Sequence, residues 1–180
     1  MINLKKIVVI GAGTMGSGIA QWFAQQMCFV ELVDNSEEQL NKALKSIHAS
    51  WDKLVEKNKL SSSDVLQMKK LLEVKSLDKV AKDSDLVVEA IIENLEIKKE
   101  LFQKLDNYFS PHTIISSNTS SFPITLMSEA VSSERKSRFV GLHFFNPATI
   151  MKLVEVIKGD QTDKSLCDDL YQWFDEKGKK

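Results

Sequence analysis

The sequence predicts an α/β fold, a doubly wound and mainly parallel sheet with helices on both faces, and three observations predict it. Short apolar runs at 7–10, 29–33, 86–90, 112–116, 139–142 and 151–157 recur along the 180 residues. Several of the intervening stretches carry apolar side chains at helical spacing, so strands alternate with helices as a parallel sheet requires. The first run turns into a helix through Gly11-Ala12-Gly13-Thr14-Met15-Gly16. The length and a hydrophobic content of 43% suit one domain, residues 1–180, built on one substantial core.

Each element has its own signal. Ile7-Val8-Val9-Ile10 is the first strand, and Ile19, Trp22, Phe23 and Met27 mark the buried face of the helix that follows the glycines. Residues 29–33 form the second strand and complete a β-α-β start. Leu40, Ala43, Leu44, Ile47, Trp51, Leu54 and Val55 then trace one face of a long helix whose other face carries Lys42, Lys45, Lys53 and Lys57. A shorter helix follows Ser61-Ser62-Ser63, and a weak strand is expected near Val74. The stronger strand at 86–90 leads into a helix with Ile97, Leu101, Phe102 and Leu105 inward. Strands at 112–116, 139–142 and 151–157 come next, and Leu166, Leu170, Trp173 and Phe174 predict a closing helix. No repeat or low-complexity linker interrupts this order.

Composition narrows the partners. Lysine plus arginine number 24 against 25 acidic residues, so the net charge of -1 gives no reason to expect nucleic acid or an acidic membrane surface. No apolar run approaches membrane-spanning length, and the first strand begins within a few residues of Met1, which predicts a cytoplasmic protein without a targeting segment. Cys28 and Cys167 are far apart and lack a C-x-x-C partner, so reduced thiols are expected. His48 and His112 have no ligand-like neighbours, and no metal site is expected.

The glycine run carries chemistry because of its context: a strand before it, a helix after it and an acid, Asp34, at the end of the next strand. Gly11 suits the tight strand-to-helix turn, Gly13 lets the backbone approach a pyrophosphate, and Gly16 lets the helix pack on its strand. Free N–H groups around Gly13, Thr14 and Met15, with the helix dipole, favour a dinucleotide's negative charge without a basic side chain. Asp34 can accept from both ribose hydroxyls and would repel a 2′-phosphate. The only arginines, Arg135 and Arg138, lie far along the chain. NAD(H) is expected rather than NADP(H). The alternative for Asp34 is a helix cap ahead of Glu37 and Glu38.

A second signal lies near the last strands. Glu155 sits among apolar neighbours in Leu153-Val154-Glu155-Val156-Ile157, where an ionised carboxylate on a strand buried on both sides needs a partner. His143 directly follows the 139–142 run, at the sheet edge where ligands bind. A glutamate accepting one ring N–H would set the tautomer and leave the other nitrogen free to exchange a proton. From spacing alone, a turn-capping histidine and a glutamate exposed on an edge strand explain the same residues.

The runs Gly11-Ala12-Gly13-Thr14-Met15-Gly16-Ser17-Gly18-Ile19-Ala20, Val88-Glu89-Ala90-Ile91-Ile92-Glu93-Asn94, Ser117-Asn118-Thr119-Ser120-Ser121 and Leu142-His143-Phe144-Phe145-Asn146-Pro147 together resemble the NAD-binding domain of L-3-hydroxyacyl-CoA dehydrogenases. The resemblance covers essentially the whole chain and implies a Rossmann-like fold. It implies that His143 is the catalytic base, Glu155 its orienting carboxylate, and Ser120 and Asn146 the groups that hold the reacting oxygen and the nicotinamide. The same resemblance implies that Glu93, Lys98 and Asn118 contact the cofactor, and that Ser50 and Lys57 lie on the coenzyme A side of the cleft. Without it, Ser120 reads as a turn or cap serine and the lysine stripe as a solvated face.

The family continues into an all-helical second domain that completes the acyl-CoA cleft and forms the dimer, so an isolated cofactor domain is expected, able to bind NAD(H) but slow on acyl-CoA. The alternatives are a dehydrogenase of a free 3-hydroxy acid and a non-catalytic NAD(H)-binding module.

Overall fold

The computed structural model describes residues 2–180. Seven strands form one sheet: β1 (Lys6–Ile10), β2 (Phe29–Val33), β3 (Leu72–Lys75), β4 (Leu86–Glu89), β5 (Ile114–Ser117), β6 (Phe139–Phe144) and β7 (Val154–Lys158). Their spatial order is β3-β2-β1-β4-β5-β6-β7. All neighbouring pairs are parallel except β6 with β7, which is antiparallel. The helices are α1 (Thr14–Gln25), α2 (Glu37–Glu56), α3 (Ser62–Leu71), α4 (Leu95–Tyr108), α5 (Ile124–Ser128), α6 (Ser133–Lys136) and α7 (Lys164–Glu176), with a 3-10 turn at Leu77–Lys79.

Alternation along the central strands divides the core into two layers. In β1, Ile7 and Val9 face the layer built on Phe23, Trp51 and Phe174, while Val8 and Ile10 face the layer built on Phe102, Leu105 and Phe139. Both faces of the strand are therefore covered, which explains its unbroken apolar run. Trp22, on α1, stacks on Phe174 of α7 with centroids 5.7 Å apart and so joins the first helix to the last.

The chain winds from β1 outward to β2 and β3, then crosses to β4 on the other side of β1, which makes the β1–β4 junction the switch point where ligands bind in such sheets. Main-chain bonds fix the end of β1 on both sides: Gly11 N–H donates to the Val33 carbonyl of β2 at 2.8 Å, and across the junction Ala90 N–H donates to that of Ile10 at 2.7 Å.

The structure moves several expected boundaries. The run at 139–142 extends to Phe144, so His143 lies within β6 instead of after it. The expected strand at 112–116 begins at Ile114, and the one at 151–157 begins at Val154, with Met151 and Leu153 outside it and exposed. β7 is an antiparallel edge strand with a half-exposed Glu155, so the premise that Glu155 is buried on both sides is wrong. The chain's last residues are also structural: Lys179 is buried and donates to the carbonyls of Ala148 and Met151, each at 2.6 Å, with its ammonium 4.8 Å from the Trp22 ring centre. Lys179 therefore clamps the β6–β7 connection.

Candidate functional site

The glycine loop is tied on three sides. Asp34 Oδ2 accepts the Ala12 N–H at 2.7 Å, and the Ala12 carbonyl accepts from the Ser17 hydroxyl at 2.9 Å and from Gln39 Nε2 at 3.2 Å. Asp34 Oδ1 accepts the Ser36 N–H at 2.9 Å, whereas the cap of α2 is Ser36, whose hydroxyl accepts from Gln39 N–H. Asp34 is thus a loop anchor and not the helix cap. One N–H on each oxygen leaves acceptor capacity on both.

Each glycine has a distinct reason. Gly11 has φ +103°, and a Cβ there would stand 2.5 Å from the Ala90 carbonyl oxygen. A Cβ on Gly16 would fall 1.7 Å from the carbonyl oxygen of Gly11, the residue that follows β1, so glycine at 16 is what lets α1 lie this close to the end of its strand. A Cβ on Gly13 would meet nothing within 4 Å. The protein therefore has no steric need for glycine at 13.

The helix ends give a further clue. The short α5 and α6 have no side-chain cap, but the longer helices α2, α3, α4 and α7 start on capping side chains, Ser36, Ser61, Asn94 and Asp163. In contrast, α1 starts on Gly13 with no side-chain cap and no acid in its first turn. Its first N–H groups and its positive dipole end are left for an anion, which fits a dinucleotide diphosphate.

Two adjoining cavities meet at this loop. One of about 610 Å³ is lined by Gly11, Gly13, Asp34, Leu77, Ile92 and Leu101 among others. The other, about 510 Å³, brings together Gly13, Thr14, Met15, Glu93, Lys98, Asn118, Ser120, His143 and Asn146. Ile91 and Ile92 border both. Ser50 and Lys57 line a separate depression of about 350 Å³ on α2, where Ser50 accepts from Gln21 Nε2 at 3.1 Å. Neither of these two residues lines the His143 cavity.

At the wall of the second cavity, Nδ1 of His143 lies 2.7 Å from Oε2 of Glu155, which is not a lining residue, and the two residues face each other in the β6–β7 register. The histidine side chain is 19% exposed and the glutamate 49%. The ring also packs against Phe145 with centroids 4.5 Å apart. With an ionised Glu155, Nδ1 carries the proton and the neutral ring keeps its lone pair on Nε2.

Beside the cavity, Lys98 and Glu93, which the sequence reading assigned to the cofactor, form an ionic network with Glu89, a residue to which it gave no role. Lys98 is 1% exposed and Glu89, at the carboxyl end of β4, is 0% exposed; their charged atoms are 2.5 Å apart. Lys98 also pairs with Glu93 at 3.1 Å. Burial works to raise the Glu93 carboxyl, but the Thr119 hydroxyl, the Lys98 charge and the Ser120 N–H outweigh it and hold the group below its usual range. Asn118 ties the loop after β5 to β6, its Oδ1 accepting the Phe144 N–H at 2.8 Å. The available signal for Glu89 was an acid closing a buried strand with a lysine in the first turn of the next helix.

An uncapped glycine-loop helix beside a polar cavity at a sheet switch point is the arrangement of a dinucleotide-binding oxidoreductase domain. Residues 6–180 match the family described as 3-hydroxyacyl-CoA dehydrogenase, NAD binding domain, and the chain belongs to that family. NAD is accordingly its cofactor. Over 99% of its length the chain is 43% identical to the human mitochondrial hydroxyacyl-coenzyme A dehydrogenase and 38% identical to a probable 3-hydroxybutyryl-CoA dehydrogenase of Bacillus subtilis. It spans 58% and 61% of those proteins. The crystal structure of 3-hydroxybutyryl-CoA dehydrogenase from Escherichia coli matches 99% of the chain with a TM-score of 0.95 at 38% identity, the match covering 38% of that protein. The (S)-3-hydroxybutyryl-CoA dehydrogenase PaaH1 of Ralstonia eutropha matches 98% at a TM-score of 0.92 and 34% identity, covering 62% of that protein. Among the described residues, no helix is long and apolar enough to cross a membrane.

Proposed function

We propose that this chain is the cofactor-binding part of an enzyme that interconverts L-3-hydroxyacyl-CoA and 3-oxoacyl-CoA thioesters with NAD. The single observation that carries the reading is the His143–Glu155 pair, joined at 2.7 Å, with His143 lining the cavity that shares Gly13 with the glycine-loop cleft.

The α1 N-terminus receives the diphosphate, Asp34 accepts from the adenosine ribose hydroxyls and disfavours a 2′-phosphate, and Glu93, Lys98 and Asn118 border the nicotinamide end. Bound NAD supplies a hydride acceptor for the carbon that bears the 3-hydroxyl. In the oxidation direction His143 takes the hydroxyl proton at Nε2, and Glu155 stabilises the imidazolium that results. Ser120 and Asn146, lining the same cavity, donate hydrogen bonds to the reacting oxygen and the carboxamide. In the reduction direction the protonated His143 returns its proton to the forming alkoxide. Such general-base assistance is worth about 10² to 10⁴ in rate, roughly 3 to 5 kcal/mol.

Ser50 and Lys57 on α2 are assigned to the coenzyme A moiety, outside the reaction cavity. The acyl tail and the dimer contact belong to the helical domain of the family, so the domain alone binds NAD(H) and turns over acyl-CoA slowly.

Calorimetric titration with NADH, followed by an NADH-oxidation assay with acetoacetyl-CoA and with free acetoacetate, tests the reading. Micromolar NADH affinity with thioester-dependent oxidation in the full-length protein is expected. Oxidation with the free acid only would shift the substrate class, and binding without any oxidation would leave a cofactor-binding module.

A further inference from the structure

Ser120 is exposed, and its hydroxyl lies 3.3 Å from that of Ser121. What holds its backbone leads back to Glu89. The Glu89 main-chain carbonyl accepts the Asn118 N–H at 2.8 Å, and its Oε2 accepts the Ser117 hydroxyl at 2.6 Å. Ser117 Oγ in turn accepts the Thr119 N–H at 3.3 Å. On the opposite oxygen, Glu89 Oε1 accepts the Ile91 N–H at 2.8 Å and the Lys98 ammonium at 2.5 Å. Lys98 passes the connection to Glu93, which accepts the Thr119 hydroxyl, and Thr119 Oγ1 in turn accepts the Ser121 N–H at 3.2 Å. Two routes therefore run from one buried carboxylate to the residues on either side of Ser120.

An ionised carboxylate with no exposed surface is costly, and an apolar residue would end β4 at lower cost. Its three charge-assisted donors make it tolerable. Each of those donors belongs to a segment that borders the His143 cavity or leads into it: the β4–α4 loop, the first turn of α4 and the last residue of β5.

We propose that Glu89, acting through Ser117 and Lys98, is a positioning residue that sets Ser120 against the reacting oxygen. This rests on the reading of Ser120 as a group that binds that oxygen. Glu89 touches no reactant, and the part of its effect that Ser117 carries passes through Ser120 and vanishes where Ser120 has nothing to offer. A displacement of about 1 Å at a reacting group is enough to lose up to roughly a hundredfold in rate.

A double-mutant cycle in the full-length enzyme tests this, with Glu89→Gln or Ser117→Ala combined with Ser120→Ala. In the wild-type background, Ser117→Ala is expected to lower kcat about tenfold, with NADH affinity within about twofold, and Glu89→Gln to follow the same direction. In the Ser120→Ala background the same changes should cost less than about twofold. A merely structural role would lower melting temperature but leave the two losses multiplicative. Undiminished loss in the Ser120→Ala background, or an unchanged kcat for Ser117→Ala, overturns the positioning role while leaving Ser120 in place. An unchanged kcat for Ser120→Ala alone overturns the underlying reading of that serine. If Glu89→Gln does not fold, the Ser117→Ala cycle decides, since it leaves the Glu89–Lys98 pair intact.

Discussion

His143 and Glu155 stand directly opposite each other across the antiparallel β6–β7 pair, with 2.7 Å between ring nitrogen and carboxylate. The ladder itself brings them together, because side chains at one register position leave the sheet on the same face. Orientation of the imidazole is therefore a property of two strands and not of a flexible loop.

The first prediction concerns this pair. His143→Gln should leave NADH affinity within about threefold and cut kcat in the full-length enzyme by at least about a hundredfold. Glu155→Gln should keep the ring in place and cost less, about tenfold. Loss of NADH binding in His143→Gln, read by calorimetry, would make the histidine a structural residue.

Glycine 13 separates ligand from fold. Because a Cβ there meets nothing within 4 Å, Gly13→Ala should melt within a few degrees of the wild type and yet bind NADH at least about tenfold more weakly. Gly16→Ala must displace the Gly11 carbonyl and should lose stability, by about 2 kcal/mol or more. Thermal melts with and without NADH distinguish the two. An equal loss of stability in both would remove the argument that position 13 is reserved for a ligand.

Cofactor choice is expected to rest on Asp34. Asp34→Ser removes both the ribose acceptor and the bond to the Ala12 N–H, so NADH affinity should fall roughly tenfold to a hundredfold. The repulsion of a 2′-phosphate is lost as well, so the preference for NADH over NADPH should narrow. Parallel titrations with both cofactors give the ratio, and an unchanged ratio would refute the role.

Acid stability provides a check away from the site. Asp106 is half of a pair with the buried Arg135: its Oδ1 accepts from Nε at 2.9 Å and its Oδ2 from the Ser132 N–H at 2.6 Å. Burial pushes this carboxyl up, but the Ser132 N–H and the guanidinium outweigh it and hold the group below 3.8. A carboxyl depressed in the folded state stabilises above its ordinary range, and that contribution is lost as pH falls from about 3.8 through the folded value. Asp106→Asn should cost about 3 kcal/mol at pH 7, the lower end for a broken buried pair because Arg135 keeps four carbonyl partners. It should also flatten the pH dependence below 4. Urea midpoints from pH 3 to pH 7 measure both.

Legibility differed by element for physical reasons. The central strands and the glycine turn were readable because burial on both faces leaves continuous apolar runs and because the turn demands particular residues. The direction of β7 had a usable signal: the 145–153 connection is shorter than the dozen or so residues that a parallel crossover needs. The short α5 and α6 helices lack a periodic face, and nothing local announced them. At the site, the position of Asp34 at the end of β2 was local and readable. The roles of His143, Glu155 and Ser120 stayed ambiguous on spacing and became expectations only through the family pattern, because a polar residue's chemistry depends on its partner across the fold.

Local patterning by itself determined the fold class, the glycine turn between β1 and α1 and the preference expected of an acid after the second strand, since each depends on residues close together in the chain. Tertiary structure decided the rest. It set His143 opposite Glu155 by strand register, and it enclosed the acid that closes β4, Glu89, and the lysine of the next helix, Lys98, as a buried pair. It also turned Lys179 inward to clamp the β6–β7 connection. Buried charges are tolerated only where a distant partner arrives, and which partner arrives is a property of the packed sheet.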